Sequence, residues 1–510
     1  MRLFLVIVLL LSLVSFAERI SNRSGIFRDS HGRQVIFHGV NVINKRPPYF
    51  PQDTGFDAKM AVFIASQGFN LVRLGVYWAA IEPEPSQYND DYLVKIQEVV
   101  DLLAKNNIYT LIDFHQDAYS TKHGGAGAPE WAALAQGDFA NPGFPINLFG
   151  GMELPGMQIG PQLDGDYDGF WNNDPAPDGM GVQDHFLSML SYVTNYFKGN
   201  ENIIGYELMN EPFVGTDWPK CTVSVLKGDF SVGCRDFEQG ALQAFYQRSV
   251  AAIRQIDKQT IVFFEPHLFF GLGAPTITFD LNDATNQTGF SFHDYNNKVE
   301  EKPIVNAISL NIPIIKAHRQ RENNHAVPLM TEFGAASNTP RSLDEILASA
   351  DNYQMSWTYW SFVNNPVYKF FKTSVVPTDP RKQGIVFDMK ESLEGNNVKR
   401  PFLVQLTRVY PRHIAGTSTN FSFDPRSNEF HLEYDAHGME YHRDTTALQT
   451  EIFIPLDRYP MGYQVDVSGA TVRSWSGSEL LIIVANKPGK VSVIVKPQGL
   501  PDNNIELLAH

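Results

Sequence analysis

Two short runs set a glutamate directly behind a strand-like segment and just ahead of a turn former: Leu208-Met-Asn-Glu211-Pro212 and Met330-Thr-Glu332-Phe-Gly334. Carboxyl groups facing each other across a glycosidic bond can hydrolyse it. One protonates the leaving oxygen; in a retaining mechanism the other attacks the sugar carbon, the pair standing about 5–5.5 Å apart. Glu211 reads as the general acid and later the base, its pKa raised by the second carboxylate, and Glu332 as the nucleophile. Asn210 is placed to bond a sugar hydroxyl beside the reacting carbon, and Arg73 to hold Glu332 ionised through a charge-assisted bond. His115, His293, Tyr295 and Trp360 also follow strand-like runs, the last as a stacking floor for a sugar. Each has a duller explanation by itself: a solvated loop carboxylate, a structural histidine, a core tryptophan. Their joint recurrence at strand ends is what a rim-built active site requires.

Those ends have to converge, and the chain between them shows how. Short apolar runs alternate with amphipathic stretches from about Val35 to Phe362. Strands are expected at 35–42, 71–76, 109–114, 203–209, 260–264, 289–292, 326–331 and 356–361. Helices are expected at 57–67, 91–105, 183–197, 237–256, 305–319 (interrupted by Pro313) and 342–350. Eight strands separated by helices are the rhythm of a parallel (β/α)₈ TIM barrel. An open doubly wound sheet is the rival, but no glycine-rich phosphate fingerprint follows the first strand. The segment His115–Gly181 breaks the rhythm and is expected to lie over the C-terminal mouth as a binding loop. Beyond about Arg400 the runs shorten and lose helical periodicity, which predicts a C-terminal β-sandwich domain. The expected division is a leader over 1–17, a barrel over 18–400 and the β-domain over 401–510.

The leader begins with Arg2, runs apolar from Leu3 to Phe16 and ends in Ser15-Phe16-Ala17, the pattern of a cleaved secretory signal with Glu18 as the mature start. An uncleaved anchor is the alternative, although the run is shorter than the roughly 20 residues a span needs. Secretion makes a Cys221–Cys234 disulfide the expectation and the triplets at Asn22, Asn286 and Asn420 candidate glycan sites. Delivery to an acidic organelle would fit equally. A net charge of −15 argues against nucleic acid as a partner. No metal site is expected, since the nearest histidine pair, His437 and His442, has no cysteine near it, and the two-carboxylate chemistry needs no cofactor.

The chain resembles glycoside hydrolase family five. The stretches carrying the likeness are Leu71-Val-Arg-Leu-Gly-Val-Tyr-Trp78 with Glu82-Pro83, Asp113-Phe-His115, Asn210-Glu211-Pro212, His293-Asp-Tyr295, Thr331-Glu332-Phe-Gly334 and Tyr359-Trp360. Asn41-Val-Ile-Asn-Lys45, Asp113-Phe-His-Gln-Asp117 and Gly169-Phe-Trp171 resemble the endoglycoceramidase group within it, which cleaves between the glycan and the ceramide of glycosphingolipids. The resemblance implies that Lys45, Asp117 and Trp171 touch the sugar nearest ceramide, and that contact with a lipid or micelle surface accompanies turnover. Apolar residues at 148–157, 268–272 and 367–376 either line a lipid groove or pack loops onto the barrel. The alternatives are another family-five activity (endo-glucanase, mannanase or glucosylceramidase) and a catalytically silent carbohydrate-binding protein.

Overall fold

The computed structural model describes residues 18–136, 145–148, 152–158, 161–221, 234–272, 274–294, 312–334, 340–363, 384–436 and 445–499. Eight parallel strands close into a barrel: β1 (His38–Val42), β2 (Leu71–Val76), β3 (Tyr109–Phe114), β4 (Ile203–Glu207), β5 (Ile261–Phe264), β6 (Thr288–Asp294), β7 (Val327–Phe333) and β8 (Ser356–Tyr359). Nearly every strand residue is buried, as expected of a sheet with helices outside and packed side chains inside. The outer helices start where the sequence provides a cap. The Asp57 side chain accepts the N–H groups of Lys59 and Met60 at the head of Ala58–Ser66, and Asn89 caps Asp90–Ala104. The second of these buries Leu93, Ile96, Val99, Val100 and Leu103, a spacing of three and four that lays one apolar stripe on the barrel.

Between β5 and β6, where the sequence shows no helical periodicity, the described residues hold only a short 3-10 turn, Leu268–Leu272. The described part of the next helix covers Ile312–Asn324; residues 305–311 of the expected helix lie outside the described residues. The long segment after β3 contains a helix of its own, Pro161–Asn172.

Eight further strands follow: β9 (Tyr410–Ile414), β10 (Thr417–Asp424), β11 (Glu429–Asp435), β12 (Gln449–Phe453), β13 (Tyr463–Ser468), β14 (Ala470–Val472), β15 (Leu480–Ala485) and β16 (Lys490–Pro497). Strands β10, β11, β16 and β13 form one antiparallel sheet. Strands β9, β12, β15 and β14 form the other, extended by Ser21–Asn22, Phe27–Arg28 and Gln34–Val35. Burial alternates along β11 and β16, and their inward residues (Phe430, Leu432, Tyr434, Val491, Val493, Val495) share a core with Ile452 and Ile483. The expected first strand therefore divides: Gln34–Val35 pairs with β9, and only His38–Val42 enters the barrel.

The β-domain is tied to the barrel by Tyr410 Oη donating to the Gly68 carbonyl (2.6 Å) and by Arg408 on Asp351 (2.9 Å). Gly68 has φ +85°, and a Cβ there would meet the Phe453 ring at 2.2 Å, so the close approach demands glycine. At the same junction His38 lies buried between the rings of Trp357 (4.3 Å) and Tyr410 (3.7 Å), neither of its nitrogens having a hydrogen-bond partner among the described residues. Burial, and then Arg408 and Arg412, hold its pKa well below the ordinary value. The folded ring stays neutral while the unfolded one takes up a proton near pH 6.5, so stability present above that pH is lost as pH falls. By pH 5 the loss reaches about 2 kcal/mol. His38→Phe is expected to flatten the pH dependence of the unfolding free energy between about pH 7.5 and 5 by that amount; parallel curves for variant and parent would remove His38 as the cause.

Cys221 and Cys234 form a disulfide, with Cα atoms 4.6 Å apart. Asn286 and Asn420 are exposed. Asn22 is not a glycan acceptor in this fold: it is 4% exposed, and its side-chain nitrogen donates to the carbonyls of Asn286, Thr288 and His325.

Candidate active site

The barrel rim gathers the chemistry because parallel strands all end on one face. Glu332 lies within β7, and Glu211 lies four residues beyond the end of β4. The register between β6 and β7 pairs Phe292 with Met330 and then His293 with Glu332, skipping Thr331. Such a bulge re-aims the side chains that follow it, and His293 Nδ1 comes to stand 3.7 Å from Glu332 Oε2. The same nitrogen is 2.8 Å from Glu211 Oε1. One oxygen of each glutamate and one His293 nitrogen lie mutually within 4.8 Å. That spacing suits direct attack on a sugar between the carboxylates, and falls short of the roughly 6.5–9.5 Å that a water-mediated inversion needs.

Under this pair sits Arg73, fully buried in β2. Its Nη1 donates to Glu332 Oε1 (2.6 Å) and Asn41 Oδ1 (3.0 Å), its Nε to Glu207 (2.5 Å) and its Nη2 to Asn210 Oδ1 (2.8 Å), with Asp113 Oδ1 at 3.1 Å. Burial opposes the charge, but Asp113, Glu207, Glu332 and Glu265 together carry the guanidinium well above its ordinary pKa. A permanent cation bonded to one Glu332 oxygen favours the ionised form of that carboxyl.

Glu211 is the more open of the two, its side chain 25% exposed against 6% for Glu332. Burial raises its pKa; the bond from His293 and that ring's charge pull it partly back, and Glu332 and Glu265 add to the rise, so the net displacement is upward. His293 is carried well above its ordinary pKa: burial works against the charged ring, but Glu265 and Glu332 outweigh it. Both of its nitrogens face carboxylates, Nε2 lying 3.1 Å from Glu265, an arrangement that favours the charged ring. The site therefore holds one carboxyl biased toward its proton beside one biased toward ionisation, the division of labour that acid-assisted displacement needs.

A second group lies alongside. Lys45 Nζ is 2.7 Å from Asp117 and 4.5 Å from the centroid of Trp360; Trp360 lies nearly parallel to His115 at 5.8 Å, and His115 bridges Asp113 (2.7 Å) and Asp117 (3.2 Å). Burial opposes the His115 charge, but the two aspartates push its pKa up to about 9. Burial also works against the Asp117 charge, yet Lys45 and His115 bring its pKa below the usual carboxylate range. These charges and one indole face form a polar wall with an aromatic floor, suited to hydroxyl-rich ligands. Trp171 has different neighbours: its indole N–H donates to the Phe213 carbonyl (2.8 Å), two residues past Glu211, and its ring packs on Phe237 and Phe245. Asn210 is committed on one side to Arg73 and on the other to the Gln116 carbonyl (2.9 Å). Tyr295 lies outside the described residues.

Glu207, Glu265, Asn41 and Gln116 belong to the site without having been singled out. Glu207 is an acid inside an otherwise apolar strand, and Glu265-Pro266 repeats, one strand on, the pattern of Glu211-Pro212; both are legible signals. Of the apolar runs, 268–272 turns its two phenylalanines inward: Phe269 and Phe270 are 2% and 1% exposed and pack against Phe213, Phe290 and Phe292. The run 367–376 lies outside the described residues, and over 148–157 the described backbone pairs Pro145–Leu148 with Met152–Gln158.

Barrel, paired glutamates and β-domain define a retaining glycoside hydrolase. The chain belongs to glycosyl hydrolase family 5: residues 29–366 match its cellulase domain, and residues 408–495 match the glycoside hydrolase family 5 C-terminal domain. It is 29% identical to endoglycoceramidase I of Rhodococcus hoagii (strain 103S), over 94% of this chain and 89% of that one. It is 28% identical to an endoglycoceramidase of Cyanea nozakii, over 89% and 88% of the two chains. Endo-glycoceramidase II from Rhodococcus sp. superposes with a TM-score of 0.70 both in its complex with ganglioside GM3 (25% identity) and as a lactosyl-enzyme intermediate (26%), covering 92% of this chain and 99% of that one.

Proposed function

We propose that this chain is an endo-acting glycosidase that hydrolyses the linkage between oligosaccharide and ceramide in glycosphingolipids, releasing both intact. The observation that carries the mechanism is the spacing of Glu211 and Glu332, with oxygens within 4.8 Å of each other. The substrate class rests on the likeness, nearly end to end, to endoglycoceramidases. Glu332 attacks the sugar carbon while Glu211 gives its proton to the departing ceramide oxygen. Glu211 then draws a proton from water, which frees the glycan with its original configuration. Lys45, Asp117, His115 and Trp360 bind the sugar next to the cleaved bond, Asn210, His293 and Tyr295 hold the reacting ring, and Trp171 walls the side of Glu211. The protein is secreted after cleavage behind Ala17, carries glycans at Asn286 and Asn420, and meets its substrate at a lipid or micelle surface. Among the described residues no helix is long and apolar enough to cross a membrane, and the Glu18 carbonyl is already bonded by Tyr109 (3.0 Å).

Mass spectrometry of a digest of ganglioside GM3 tests the substrate class. Free ceramide together with undegraded glycan is the expected result. Stepwise release of monosaccharides, or cleavage of β-glucan or mannan but no glycolipid, would transfer the assignment to another family-five activity. Binding without any turnover would leave a carbohydrate-binding protein.

A further inference from the structure

Glu211 has φ +45°, a left-handed backbone that a residue with a side chain rarely adopts and that persists only where its surroundings enforce it. Two buried side chains supply that enforcement, and they act on opposite groups of the same turn. Glu265, directly after β5, accepts the Glu211 backbone N–H on Oε2 (3.0 Å). Gln116, two residues after β3, donates through Nε2 to the carbonyls of both Asn210 (2.8 Å) and Glu211 (3.1 Å). The orientation of the Gln116 amide is set by its other end, where Oε1 accepts from Tyr167 Oη (2.7 Å) and the Tyr119 N–H (3.1 Å). Every polar atom of the Gln116 side chain is thus spent on this turn or on what holds it, and none is left for a ligand. Glu265 also reaches the other end of Glu211: its Oε1 faces His293 Nε2 (3.1 Å), and His293 Nδ1 is hydrogen-bonded to Glu211 Oε1 (2.8 Å).

We propose that Gln116 and Glu265 are the positioning residues of the Glu211 carboxyl, clamping its strained turn from the carbonyl side and the amide side so that the proton is aimed at the glycosidic oxygen. The clamp rests on the reading of Glu211 as acid/base. It gives the long insertion after β3 a catalytic task. Tyr167 stands on the insertion's own helix and Tyr119 at its start, so folding of the insertion against β4 is what locks the proton donor. A misaimed acid harms only bonds whose departing oxygen needs a proton. Ceramide leaving without a proton would be an unstable alkoxide, so glycolipids need it; a 2,4-dinitrophenyl β-lactoside releases a stable phenolate and does not.

The experiment measures kcat/KM, which reports the bond-breaking step, on GM3 and on the dinitrophenyl lactoside. Gln116→Met, which keeps length and volume but removes every amide bond, is expected to lower kcat/KM on GM3 by roughly 10²-fold and on the activated lactoside by no more than about three-fold. Glu265→Gln is expected to split the two substrates in the same direction. Tyr167→Phe, conservative enough to keep the packing, should give a smaller split of the same sign. An equal fall on both substrates, or no fall, overturns the clamp, because a general packing defect does not discriminate between leaving groups. Glu211→Ala runs in parallel: if it splits the substrates and the clamp variants do not, only the clamp is wrong; if it does not split them, the acid/base reading falls and the clamp with it.

Discussion

Glu332→Gln is expected to lower turnover of glycosphingolipid by roughly 10⁴-fold or more while leaving substrate binding near that of the parent. The change is almost isosteric, and the surroundings tolerate it. An amide oxygen still accepts from Arg73 Nη1, now 2.6 Å from Glu332 Oε1, and Arg73 keeps Glu207, Asp113 and Asn210 as partners, so no buried cation is orphaned. What disappears is the charged oxygen that forms the bond to the sugar. A 2-deoxy-2-fluoro glycoside with a good leaving group separates this from mere disturbance. Fluorine slows both chemical steps and the leaving group rescues the first, so the parent should accumulate one covalently attached sugar, visible as an added mass on the intact protein. The amide variant should add none. Labelling that survived the substitution, or that mapped to a peptide lacking position 332, would take the nucleophile's role away from Glu332.

The glutamates were legible because strand-ending acids next to Pro212 and Gly334 stand out from apolar runs, and a parallel barrel leaves them only one rim to occupy. Arg73 was legible for the opposite reason: a cation inside the apolar run Leu71–Val76 has to meet carboxylates. Their exact meeting was not. That His293 faces Glu332 depends on the register slip past Thr331, which no local pattern announces. Gln116 reads as one polar residue among many at the start of a long loop, and its role exists only because Asn210 and Glu211 turn their carbonyls toward it. The strands before the barrel escaped in the same way. Gln34–Val35 pairs with β9 at His413 and Ile414, a partner too distant in the chain for any periodicity to reveal.

Replacing the other glutamate should give a different signature. Glu211→Ala is expected to cost roughly 10²- to 10⁴-fold in kcat/KM on glycolipid, the usual worth of a positioned acid. The strained φ of +45° is no worse for alanine than for glutamate, and His293 retains Glu265 and Glu332, so the turn and the placement of the His293 ring should survive the truncation. The cavity left on the open side of the cleft then admits a small anion. Azide needs no base to activate it, so it should attack the sugar held on Glu332 in place of water and restore turnover on an activated lactoside, with β-lactosyl azide as the product. The pH profile supplies the second half of the argument. Because burial lifts the Glu211 pKa, the carboxyl keeps its proton to a higher pH than an ordinary glutamate, and kcat/KM should decline only as pH rises through that raised value. The alanine variant has no such proton to lose, so its alkaline limb should vanish. Retention of that limb, or azide without effect on rate and product, would show that another group delivers the proton across the cleft.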